Sequence, residues 1–148
     1  MKFEETVLRL FDISEDLHSM RDELIRITAK LVDGPEFLRV VCAVKELDII
    51  AVTLLGQYEL LDTTPVVQSQ HLSDYYARRL EILEMTRPRL ESHVDELVAI
   101  GDRIDIAQAA AWIGRATQQV RSSIQVIDSI METLRGWTMA AAKDQTVH

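Results

Sequence analysis

Leucine returns at every seventh residue near the start of the chain: Leu10, Leu17, Leu24 and Leu31, in register with Phe3. Thr6, Ile13, Met20 and Ile27 stand between them. Steps of alternately three and four residues keep side chains on one stripe of an α-helix, and a sustained seven-residue repeat favours coiled-coil-like packing. Charged residues such as Glu4, Arg9, Asp16, Asp22 and Arg26 fill the other faces. The same rhythm recurs in further blocks as far as Trp137, and no block shows the period-two alternation of a half-buried strand. The chain therefore reads as all-α: an antiparallel four-helix bundle of long amphipathic helices with coiled-coil-like packing and short connections.

Breaks in the pattern set the expected helices at about residues 3–32, 36–61, 65–100 and 103–139, within a single domain spanning 1–148. Asp33-Gly34-Pro35 is the first break, since glycine tolerates a left-handed turn and proline suits the first turn of a new helix. Asp62-Thr63-Thr64-Pro65 is the second, with Thr64 as an expected N-cap. Pro88 lies inside the third pattern and predicts a kink near Met85 to Arg87, or a restart there. The stripe through Leu90, Leu97 and Ile104 is out of phase with the one through Ile106, Ile113 and Val120, which predicts a turn near Gly101 to Asp105. Residues 140–148 read as a flexible tail.

The second block differs from the first. Its stripe is Phe37, Val40, Val44, Leu47, Ala51, Leu54, Tyr58 and Leu61, yet apolar residues also occupy much of the rest of the cylinder. Lys45, Glu46 and Asp48 interrupt the run, which falls short of the roughly 20 apolar residues a membrane span needs. A helix apolar on most sides must be covered on most sides. Val41, Cys42, Ile49, Ile50 and Leu55 are the expected interface, facing a second copy of the chain or a protein partner.

Acidic residues number 24 against 16 basic, a formal net charge of −8, and the basic residues form no cluster. Phosphate neutralisation needs a basic face, so neither nucleic acid nor an anionic membrane surface is an expected partner. No N-terminal apolar segment resembles a secretory signal, and a lone cysteine can form no internal disulfide. The expected location is cytoplasmic.

Chemical motifs are few. Glu15 and His18 have the Glu-x-x-His spacing of di-iron carboxylate bundles, but the pair is not repeated and falls away from the stripe of Leu17 and Met20. His93, between Leu90, Val94 and Leu97, and His71, in Gln70-His71-Leu72, are candidate phosphoacceptors of a histidine phosphotransfer-like signalling bundle. Against that role, Glu91, Asp95 and Glu96 surround His93 with negative charge, and no Lys-Gly follows His71. The small-residue run from Ile106 to Ala116, holding Trp112, predicts a tight helix crossing opposite the bulky second helix. No cation or base is positioned in the sequence to activate Cys42, and no glycine-rich phosphate loop occurs. The reading is of a non-enzymatic interaction protein, without cofactor or metal, that self-associates as a homodimer or binds a protein partner through its second helix. An adaptor, chaperone or assembly role would follow; histidine phosphotransfer is the alternative.

Overall fold

A computed structural model describes residues 2–62 and 71–147. They form four helices: α1 (Phe3–Leu31), α2 (Pro35–Asp62), α3 (Leu72–Arg103) and α4 (Ala107–Val147). At a rise of about 1.5 Å per residue, the 29 residues of α1 span about 43 Å. The expected cap and helix start at Thr64 and Pro65 lie outside the described residues.

Helices adjacent in sequence pack side by side, α1 also packs on α4, and the seam between α2 and α3 is thinner than those of α1 with α2 and α3 with α4. Cross-helix partners fix the directions. On α1 and α2, Ser14 reaches Ala51, whereas Arg21 reaches Asp48. On α3 and α4, Ser73 reaches Thr138, whereas Arg87 reaches Asp128. Numbers that rise on one helix as they fall on the other mean that these neighbours run in opposite directions.

The seven-residue stripe of α1 enters the core as its spacing demands, with Leu10, Leu17 and Leu24 fully buried. They meet Leu47, Ile50 and Leu54 of α2, Leu83, Leu90 and Leu97 of α3, and Ile113, Ile127 and Ile130 of α4 in one aliphatic cluster. Fully burying one such side chain contributes roughly 1.5–3 kcal/mol, so continuity of this cluster is the main support of the fold.

Two helix boundaries differ from the sequence expectation, and at Pro88 one of its two alternatives, the restart, does not occur. Gly101 belongs to the last turn of α3, and the chain leaves helix only at Ile104-Asp105-Ile106. This short break still shifts the phase between the two stripes. α3 runs through Pro88 without restarting, because proline deletes a single hydrogen bond while Leu83, Thr86, Leu90 and Val94 remain anchored in the core on both sides. Residues 140–147, expected as a flexible tail, continue α4; alanines at 140–142 favour helix.

The small-residue crossing forms, but not opposite α2, which touches α4 only slightly. Its partner is α3: a Cβ on Gly101 would stand 3.3 Å from Ile113 Cγ2. Along α4, Ala109, Ala116, Ser123 and Ile130 follow one another in the core at seven-residue steps. On this stripe the side chains are small at the end beside Gly101 and reach isoleucine toward the end that carries Trp137.

The α1–α2 link is a γ-turn. Val32 takes φ 62° and ψ −50°, and the Asp33 N–H donates to the Leu31 carbonyl at 2.6 Å. Gly34 follows at φ 107°, a conformation that side-chain-bearing residues rarely adopt.

Candidate functional site

The outward face of α2 is largely apolar, with Lys45 as its charged member. Leu38, Cys42, Ile49, Val52 and Leu60 are all exposed, with Leu38 at 61% and Val52 at 63%. At about 100° per residue these positions, with Lys45 and Gly56, fall within roughly 80° of arc, diametrically opposite the buried Val40, Leu47 and Leu54. α2 thus carries two stripes, one spent on the bundle and one turned to solvent. A Cβ on Gly56 would meet nothing within 4 Å, so the backbone itself is open there.

The face continues sideways into a groove between α2 and α3, lined by Ile49, Val52, Gly56 and Leu60 on one side and Thr86, Arg89 and His93 on the other. Met85 of α3 adds a further exposed apolar side chain. One polar link crosses the seam near the groove's end, where His93 Nδ1 lies 2.5 Å from Glu46 Oε2. A second crosses farther along the seam, beyond that same end, where the Asp105 N–H donates to Glu36 Oε2 at 3.1 Å.

The five expected interface residues separate. Cys42 and Ile49 lie on the outward face. Val41 and Leu55 are half-buried on the flank that carries Asp48, the residue ion-paired with Arg21 of α1 at 2.5 Å. Ile50 is fully buried and leaves the set. It stands three residues after Leu47 and four before Leu54, so it completes the core seam from which the sequence reading had displaced it in favour of Ala51. Leu38, Val52 and Leu60 were missed. Extending the step from Cys42 and Ile49 by three and four residues in both directions would have found them.

The chemical candidates do not converge. Glu15 is exposed and His18 partly so, on the outside of α1. His71 is exposed just before α3, far along that helix from His93. Trp112 lies under the Arg115 guanidinium, whose carbon sits 4.8 Å from the ring centroid. Among the described residues, no three His, Cys, Asp or Glu side chains come together in a metal-holding group. None of the described helices is long and apolar enough to cross a membrane.

Among the described residues, two guanidinium groups are hydrogen-bonded by carboxylates across helix seams, and Arg135 pairs more loosely with Glu84 at 3.6 Å. Arg21 is held by Asp48 and then Asp22, and Arg87 by Asp128 in a two-pronged contact of 2.6 and 3.2 Å. These hydrogen bonds raise both pKa values, keeping the charges fixed. They are clamps between neighbouring helices.

Compared with protein-family models, curated proteins and solved structures, the chain matches none. Its function must be argued from this surface.

Proposed function

We propose that this chain is a non-catalytic interaction module that self-associates through the outward face of α2, in an adaptor, chaperone or assembly role. The observation that carries the reading is the second stripe: a soluble helix seldom arranges Leu38, Cys42, Ile49, Val52 and Leu60 on one exposed line unless another surface covers them.

Charge placement favours a second copy, packed antiparallel, as the cover. Lys45 precedes the central Ile49 and Val52, and Glu59 follows them. An antiparallel pair brings Lys45 toward the partner's Glu59, whereas a parallel pair stacks like charges on each other. Gly56 leaves space for the Lys45 stem. A two-fold axis near the middle of α2 closes the assembly as a dimer.

Phosphotransfer finds less support. Glu46 holds Nδ1 of His93, and its carboxylate would repel an incoming phosphoryl group.

Absolute mass by light scattering, over a dilution series, tests the proposal. The native chain is expected to be dimeric, and Ile49→Asp monomeric with its helical circular dichroism retained. Lys45→Glu and Glu59→Lys should each weaken the dimer, and mixing these two variants should restore association. A native monomer at every concentration sinks the reading; recovery failing on mixing sinks the antiparallel arrangement.

A further inference from the structure

At the end of the bundle that carries Trp137, all four helices contribute to a cavity of about 280 Å³. At roughly 30 Å³ per molecule of liquid water, it holds the equivalent of about nine waters. Its walls are aromatic. Trp137 of α4 packs on Phe3 of α1 at 4.5 Å and on Tyr76 of α3 at 5.4 Å between ring centroids, and Tyr75 meets Tyr76 at 5.8 Å. Arg79 is the cation of this wall. Its guanidinium carbon lies 4.8 Å from the Tyr75 centroid, and its Nε is buried with no hydrogen-bond partner. Among the described residues Arg79 forms no ion pair, unlike Arg21, Arg87 and Arg135.

We infer that this cavity binds a small carboxylate with an apolar body. Stacking on Tyr75 leaves the in-plane N–H donors of the guanidinium able to meet an acceptor, and the buried Nε has none, which is costly. A carboxylate supplies two acceptor oxygens in the plane that the guanidinium fork matches. The apolar body of the same ligand would lie against Trp137 and Tyr76. Glu4 and Asp62, exposed at the rim, orient the ligand with its anionic end inward on Arg79. Leu60 belongs to both the α2 stripe and the cavity wall. The residues that recognise the ligand, Arg79, Tyr76 and Trp137, lie outside the stripe, so the inference does not depend on self-association.

The test uses octanoate, octanol and octylammonium against the Trp112→Phe chain, in which Trp137 is the sole remaining tryptophan and reports on the cavity. Octanoate is expected to shift its emission saturably and to bind about ten- to a hundredfold more tightly than octanol, the range for a charged hydrogen bond. Octylammonium is expected to bind more weakly than octanol. Arg79→Met should lose the preference for octanoate and bind octanol at least as tightly. In the chain that keeps Arg79, no saturable shift or a preference for octanol or octylammonium overturns the inference, as does a carboxylate preference surviving in Arg79→Met. If Arg79→Met binds neither ligand, Arg79→Lys decides: a retained preference for octanoate supports it, and equal binding of octanoate and octanol overturns it.

Discussion

The Ser14 hydroxyl donates a 2.8 Å hydrogen bond to the Ala51 carbonyl in the fully buried seam between α1 and α2. Two small residues face each other there, and the gap is closed by a polar bond. Ser14→Ala removes the bond without stranding the Ala51 carbonyl, which keeps its own helical partner. A loss of about 1 kcal/mol is expected in urea unfolding. Ser14→Leu should cost more, roughly 1–3 kcal/mol beyond any gain in apolar burial, because the opposing backbone has no room for a branched side chain. Equal effects would mean that the seam is loosely packed.

The γ-turn at Val32 holds a β-branched residue at positive φ, 81% exposed. Nothing in its surroundings requires a valine. Glycine relieves the backbone clash at the cost of extra freedom in the unfolded chain. Val32→Gly is therefore expected to stabilise by roughly 0.5–1 kcal/mol, read as a higher denaturation midpoint.

Gly101 and Gly114 lie on facing helices but in different surroundings. A Cβ on Gly114 meets nothing within 4 Å, so Gly114→Ala should gain about 0.5–1 kcal/mol from helix propensity alone. Gly101→Ala gains the same propensity while pushing on Ile113 at 3.3 Å. Thermal melts should place it below Gly114→Ala. The reverse order would show that α3 and α4 are not in close contact there.

Ile50 and Val52 are two residues apart and point in opposite directions. Ile50→Ala should cost about 2–5 kcal/mol as a core cavity. Val52→Ala, in contrast, should leave the unfolding free energy of the separated chain within about 0.5 kcal/mol and raise the dissociation constant of the proposed dimer. Comparing denaturation with mass measurements separates these effects.

Tyr58 gives a pH dependence. Desolvation, then the charge of Asp62, raises its phenol pKa above the ordinary value. The folded chain thus holds this proton more tightly than the unfolded chain. The associated stability is complete below about pH 10, the ordinary phenol pKa, and is lost as pH climbs through the folded value. Tyr58→Phe should show a shallower fall in urea midpoint between about pH 9 and 11.5 than the native chain. An unchanged slope would assign the alkaline loss to other groups.

Most of the bundle was legible in the residues. The α1 stripe put Leu10, Leu17 and Leu24 in the core, and Asp33-Gly34-Pro35 marked the first break, because both features express local geometry that needs no partner. The phase jump located the α3–α4 break near Gly101 to Asp105, a few residues early. The end of α4 was misread, since polarity in a terminal segment does not distinguish a solvated coil from a solvated helix.

Periodicity by itself determined that α2 had more apolar surface than one stripe could use. It could not decide which residues the bundle would take, for Ile50 and Ile49 are chemically identical and adjacent. Only the tertiary structure assigned Ile50 to the core and Ile49 to solvent. The register of α2 against α1 is set by contacts such as Ser14 with Ala51 and Arg21 with Asp48. The cavity beside Trp137 was hidden for the same reason. Phe3, Tyr76, Arg79 and Trp137 lie on three helices, and nothing local in the chain records that antiparallel packing brings them together.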